Sequence, residues 1–382
     1  MVLKVSSRGL EVSPFIVMDV MRAAAQREAA GDEVLHLEVG QPGTPAPAKV
    51  IEAAKAALDS DLIGYTDARG NPGLRGRISQ HYREVYDLAV DPERVMVTTG
   101  SSGGFLVSFL AAFNPGDRVA LAAPGYPAYR NILQALGVEA VLLPSELEHR
   151  FQPTPELLAR TAGKLDGLIV ASPSNPTGTM LDGAQFAALS DYCAEHDIRL
   201  ISDEIYHGIC YGQEAVCALA CNPDAIVINS FSKYFSMTGW RLGWMILPED
   251  LLRPAECLAQ NLFISAPALS QIAGEAAFGC RDVLDGYVAT YAGNRKRLLT
   301  ELPKAGFDRL APADGAFYIY ADVAHLTDDS EAFCQRMLAE TGVAATPGVD
   351  FDPARGHHFV RFSFAGPTAD IAEAARRLQS WL

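Results

Sequence analysis

The sequence predicts an α/β protein, with a large domain built on a mainly parallel seven-stranded sheet flanked by helices, plus a smaller α+β domain. Seven short β-rich runs alternate with helical patterns through most of the chain. Most of these runs are continuously apolar rather than alternating, the signature of strands covered on both faces. After about residue 280 the alternation gives way to a long charged helix and two isolated strands. The 382 residues suit two or three domains of about 150 residues each.

In chain order, residues 14–30 read as a helix capped by Ser13, followed by a Pro- and Gly-rich loop over 40–47. A second helix spans 72–86, with Pro72 in its first turn, where the missing N–H costs nothing. Strands are expected over 94–98, 118–122, 139–143, 167–171, 198–202, 225–229 and 242–247. A helix begins at Asp182, where Phe186, Leu189 and Cys193 recur at i, i+3 and i+7 and form one apolar face. Beyond 280 come a helix over 283–302, strands over 316–321 and 359–363, and a closing helix after Gly366-Pro367. That last helix carries Ile371, Ala374, Ala375, Leu378 and Trp381 on one stripe. The expected division is an N-terminal arm and helix (1–45) packing with the small domain, a large domain (46–281) and a small C-terminal domain (282–382).

Composition excludes several classes. With 49% apolar and 20% charged residues the chain can bury a large core. A net charge of −15 argues against nucleic acid and against an anionic membrane surface, both of which need a basic face. The longest apolar stretch, 105–113, is broken by Ser108 and falls short of the ~20 residues that span a bilayer. Lys4, Arg8 and Glu11 interrupt the N-terminus, unlike a secretory signal. Seven cysteines without a CxxC pair read as reduced thiols, hence a cytoplasmic protein. His357-His358 lacks a third ligand nearby, so no metal is expected.

Only seven lysines occur, and six sit among polar or charged neighbours. Lys233 differs: it follows an apolar strand in a run, 229–244, that is rich in aromatics and free of acidic residues. Desolvation disfavours the ammonium form, and a neutral amine attacks aldehydes, the chemistry of a Schiff-base lysine. Ser230, three residues earlier, and Arg241, eight later, supply a hydroxyl and a cation able to hold a phosphate dianion. A nucleophilic lysine beside a phosphate site suggests pyridoxal 5'-phosphate. The alternative is a strand-end lysine that snorkels, a turn capped by Ser230 and a surface ion pair for Arg241. Gly100-Ser101-Ser102-Gly103-Gly104 follows a strand and opens a helix, whose free N–H groups favour an anion. Neither GxxxxGK[ST] nor GxGxxG occurs, so nucleotide-loop readings are poor.

Over nearly its whole length the chain resembles the fold-type I aminotransferases of class I/II, the aspartate aminotransferase family. The resemblance rests on Ser-Phe-Ser-Lys (230–233) with Gly-Trp-Arg-Leu-Gly (239–243), Ser-Pro-Ser-Asn-Pro-Thr-Gly (172–178), Ser-Asp-Glu-Ile-Tyr (202–206) and Val-Arg-Phe-Ser (360–363), in the family's order. It implies pyridoxal 5'-phosphate bound by Lys233, with Ser101, Ser102, Ser230 and Arg241 on the phosphate. It further implies Asp203 on the ring nitrogen, Asn175 and Tyr206 on the ring oxygen, and Tyr126 stacked on the ring. Arg361 and the Gly40 loop would hold the substrate carboxylate, with Asn175 also on the substrate. Tyr65 matches a tyrosine that reaches the phosphate from a neighbouring subunit, which implies a homodimer with shared sites. Phe15 is expected to line the side-chain pocket, favouring a neutral or apolar amino acid. Dicarboxylate-specific relatives carry a second cation, which in one subgroup stands where this chain has Ser102. Glu204 should point away from the site, and Phe317, Tyr318 and Tyr320 are expected to pack the small domain.

The implied activity is transfer of an amino group from an L-amino acid to a 2-oxo acid, with 2-oxoglutarate the expected acceptor, in two half-reactions. Lys233 would move the proton between Cα and the cofactor, and Asp203 and Tyr206 would tune the ring. The alternative is a C–S lyase or decarboxylase on the same residues. A ligand-sensing regulator is not expected, because no basic helix-turn-helix occurs.

Overall fold

The structure, a computed structural model, describes residues 3–60 and 62–382. Its large sheet has seven strands in the order Val95–Thr98, Gly243–Ile246, Ile226–Ser230, Arg199–Asp203, Gly167–Ala171, Arg118–Ala123 and Glu139–Pro144. Gly243–Ile246 runs antiparallel to both neighbours; the other pairings are parallel. Successive residues serve opposite faces, which explains the unbroken apolar runs. Leu168, Val170, Leu200 and Val227 enter one core, and Ile169, Ile201, Ile226 and Ile228 enter the other. Helix Pro72–Tyr86 covers the first face through Leu74, Ile78 and Tyr82, and Gly100–Ala112 covers the second through Phe105 and Phe109. Helix Gly183–Glu195 is capped by Asp182, whose carboxylate accepts the Gln185 N–H at 2.8 Å.

The C-terminal part holds an antiparallel sheet in the order Thr346–Pro347, Phe359–Ser363, Tyr318–Asp322 and Arg309–Leu310. One face, with Ile319, Val360 and Phe362, packs against helices Arg281–Glu301, Ser330–Thr341 and Thr368–Trp381. Ile371, Ala374, Ala375 and Leu378 of the last helix are buried there. The short strands Arg309–Leu310 and Thr346–Pro347 have no sequence signature, and the strand expected at 316 begins at Tyr318. Ala316 has φ +55°, a left-handed conformation that an extended strand cannot contain.

The early helix spans Ile16–Ala29, and Ser13 does not cap it. Phe15 occupies the cap position without a side-chain hydrogen bond. The first N–H groups go instead to the Asp350 carboxylate, from Ile16 at 3.1 Å and Val17 at 3.2 Å. Ala24 of this helix packs with Leu338 and Ala344, and the next segment, Leu35–His36, pairs in parallel with Val343–Ala344.

Candidate active site

A cavity of about 500 Å³ lies where the carboxyl ends of the large-sheet strands face the small sheet. It is lined by Phe15, Gly40, Ser101, Ser102, Tyr126, Asn175, Asp203, Tyr206, Lys233, Arg241 and Arg361. Two expected residues lie off it. Ser230 is buried behind the wall, its hydroxyl donating toward Ser232 Oγ (2.9 Å) and the Leu242 carbonyl (3.2 Å). Tyr65 is 83% exposed and does not line the cavity of its own chain. A larger cavity, about 630 Å³, lies beside Tyr320, Phe359 and Arg355 and holds none of the expected residues.

Lys233 extends from the turn after Ile226–Ser230 and donates to the Gly40 carbonyl at 2.5 Å. Its ammonium lies 5.8 Å from the centre of the Tyr206 ring and 5.9 Å from that of Phe317. Burial first, then repulsion from Arg361 and Arg241, lowers its pKa to about 8, with Asp203 opposing. Gly40 is fixed by close approach: a Cβ there would collide with the Tyr318 hydroxyl.

Asp203 ends its strand and is 3% exposed. Burial pushes its carboxyl up to about 6, against the Tyr129 hydroxyl and the Ile205 N–H (3.1 Å), which both donate to it. Glu204, its neighbour, points into the core as expected. It accepts the Ala218 N–H at 2.8 Å, and burial raises its pKa to about 8. Asn175 Oδ1 accepts from Arg361 Nη1 at 2.8 Å, which orients the amide so that its NH2 is left to donate elsewhere. Arg361 Nη2 also donates to Thr346 Oγ1 (3.2 Å) and to the Glu38 carbonyl, while its buried Nε has no partner. The guanidinium lies 4.4 Å from the Tyr318 ring centre and 4.7 Å from that of Phe351.

At the opposite end, Ser101 and Ser102 open helix Gly100–Ala112, whose first turn holds no acidic side chain and whose Thr99 cap makes no side-chain bond. Gly100 has φ +75°, and a Cβ there would lie 2.5 Å from Arg241 Nη2. The helix N-terminus, two serines and a guanidinium thus form a cradle that only glycine leaves open, a donor set that suits a phosphate dianion. Together with an amine of lowered pKa and a carboxylate across the cavity, these residues fit pyridoxal 5'-phosphate.

Sequence reasoning missed several lining residues. Tyr129 sits three residues after Tyr126, one helical turn on, so i, i+3 spacing was a usable signal. Tyr318 was expected only to pack the small domain; it lines the cavity and shares a hydrogen bond of 2.6 Å with Tyr206. Strand alternation places it on the same sheet face as Arg361. Ser232, Thr238, Val17, Met18 and Met21 also line the wall, without a distinctive signal. Among the described residues no His/Cys/Asp/Glu group could hold a metal, and no helix is long and apolar enough to cross a membrane.

The chain belongs to the aminotransferase class I and II family, whose sequence model matches residues 32–378. It is therefore a pyridoxal 5'-phosphate-dependent aminotransferase. It is 52% identical over 375 residues to the valine–pyruvate aminotransferase of Mycobacterium tuberculosis, covering 97% of each chain. Its structure matches a crystal structure of an aminotransferase from Mycobacterium tuberculosis with a TM-score of 0.98 at 51% identity, covering 100% of this chain and 99% of that one. Aspartate aminotransferase from Thermus thermophilus with maleate matches with a TM-score of 0.93 at 30% identity, covering 100% of both.

Proposed function

We propose that the chain transfers the amino group of a neutral, apolar L-amino acid to pyruvate. The observation that carries this reading is the count of cations on the cavity wall. Among the described residues of this chain they are Lys233, Arg241 and Arg361. Lys233 serves the aldehyde, Arg241 the phosphate and Arg361 the α-carboxylate, leaving no cation of this chain's own wall for a second carboxylate on donor or acceptor. Phe15, Val17, Met18 and Met21 line the same cavity and suit an apolar side chain. The valine–pyruvate name of the relative from Mycobacterium tuberculosis points the same way.

When bound, pyridoxal 5'-phosphate supplies an aldehyde and an electron-withdrawing ring. Lys233, whose ammonium is weakened by burial, is the nucleophile and then the base that holds and moves the proton at substrate Cα. Asp203 keeps a proton on the ring nitrogen, and Tyr129 holds its carboxylate in place. Tyr206 and the Asn175 amide donate to the ring oxygen. Arg361 grips the α-carboxylate as a fork, with the second N–H of Nη1 among the donors left for it. The Gly40 loop closes beside it. One lysine acts as both tether and proton carrier, so proximity supplies much of the rate.

The same proposal includes a cytoplasmic homodimer with shared sites. Leu62, Ile63 and Tyr65 form an exposed apolar run, which suits burial against a second copy. It also keeps the division into an N-terminal arm (1–45), a large cofactor-binding domain (46–281) and a small domain (282–382). The test is a panel of amino donors against pyruvate and 2-oxoglutarate, with products quantified. Neutral apolar donors with pyruvate should give the highest kcat/KM. Preference for aspartate, glutamate or 2-oxoglutarate would overturn the reading. So would release of ammonia and pyruvate from a thioether substrate without amino transfer, the lyase outcome.

A further inference from the structure

We propose that Asp350 positions the wall of the substrate side-chain pocket, and that Met18 and Met21 are the specificity-determining surfaces it holds in place. This deepens the reading of the cavity as a site for apolar amino acids and rests on it. Helix Ile16–Ala29 makes no side-chain cap of its own, since Phe15 stands at the cap position. Its front is held instead by one carboxylate more than 300 residues away, which accepts two successive N–H groups at 3.1 and 3.2 Å. Asp350 is fully buried, and its own carbonyl accepts from Arg130 Nη2 at 2.7 Å. Arg130 follows Tyr129 on helix Pro127–Leu136, so the clasp is tied to the element beside Asp203.

The clasped turn carries the cavity wall. Phe15, Val17, Met18 and Met21 all line it, and Phe15 meets Tyr126 edge-on at 5.8 Å. Met18 and Met21 are three residues apart, hence neighbours on one helix face. Met18 is 51% exposed, so it stands at the rim and closes the cavity toward solvent. The far half of the helix is anchored separately, with Val20, Ala23 and Ala24 against Leu338 and Ala344. Without Asp350 the helix keeps its rear anchor and loses the contact that presses its first turns over the cavity. The phosphate cradle and Lys233 sit on other elements, and Arg130 bonds the Asp350 backbone carbonyl, which Asp350→Ala keeps, so loss of the carboxylate reaches the substrate side chain first.

The experiment uses holoenzyme of the wild type, Asp350→Ala, Asp350→Asn and Met18→Ala. It compares kcat and KM for a branched apolar donor and for alanine, both with 2-oxobutyrate as acceptor because alanine and pyruvate exchange without net turnover, and records cofactor absorbance. Asp350→Ala should raise KM for the branched donor about tenfold while changing kcat for both donors, and KM for alanine, less than about twofold. Asp350→Asn keeps one acceptor oxygen and should restore most of the discrimination. Met18→Ala should lose discrimination with the clasp intact, and cofactor absorbance should match the wild type throughout. An unchanged ratio of kcat/KM between the two donors in Asp350→Ala, or an equal fall for both, would overturn the proposal. If that variant does not fold, an unchanged ratio in Met18→Ala overturns it. Wild-type enzyme that ignores apolar donors refutes the underlying functional reading, and that result is read before any variant is made.

Discussion

Replacing Arg361 by lysine keeps the charge and removes the planar fork. In the wild type the fork is fixed from several directions. Nη1 donates to Asn175 Oδ1 at 2.8 Å, Nη2 donates to Thr346 Oγ1 at 3.2 Å, and Tyr318 and Phe351 lie 4.4 and 4.7 Å from the guanidinium. Nη1 carries a second N–H beyond the one given to Asn175, a donor for an incoming carboxylate. An ammonium on the same strand retains one contact and loses the second, together with the stacking that holds the plane. A charge-assisted hydrogen bond contributes about 1.5–3 kcal/mol, so Arg361→Lys should cost about 2 kcal/mol, roughly 30-fold in kcat/KM. The α-carboxylate is common to all donors and does not react, so the loss should fall on KM more than on kcat and be similar for every donor. Initial rates over a concentration series of three donors, with cofactor absorbance as the control for cofactor retention, measure this. A KM that does not move for any donor would refute the assignment of Arg361 to the carboxylate.

Two further outcomes follow from the ionisation of buried groups. Tyr129→Phe removes a donor that favours the Asp203 carboxylate, so that carboxyl should take up its proton at higher pH than in the wild type and carry the acid limb of the kcat/KM profile upward with it; a limb that stays in place would separate Tyr129 from Asp203 ionisation. Glu204 is fully buried, and burial raises its pKa from 4.5 to about 8, so its neutral form is the one the fold favours. Its contribution to stability is intact below about pH 4.5 and lost as pH rises through about 8, at up to about 1.4 kcal/mol per pH unit. Glu204→Gln should therefore gain stability relative to the wild type across that window, read as denaturant midpoints at pH 5, 7 and 9; a constant difference between the two would contradict the shift.

What could be read in advance was set by short-range chemistry. Apolar runs announced the doubly covered strands, and Phe186, Leu189 and Cys193 announced the helix that begins at Asp182, because partners a few residues apart leave their mark in a local window. The lysine, the Gly-Ser turn and Asp203 were legible because each sits at a strand end, where an α/β sheet delivers its ligands. Residues that act through distant partners left no such mark. Ser13 offered a plausible local cap, yet Asp350, from the other end of the chain, takes that role, since a buried carboxylate meets two N–H groups there and Ser13 meets none. Tyr318 looked like one aromatic among three, and only its cross-strand placement on the face of Arg361 distinguishes it from Ile319 beside it. Cofactor chemistry is thus written in motifs that are continuous in the chain. The cavity wall at Phe15, Val17, Met18 and Met21 comes from a helix front held by Asp350 near the other end of the chain, so, if that wall meets the donor side chain as proposed, selectivity should respond to changes far from every motif, Asp350 first among them.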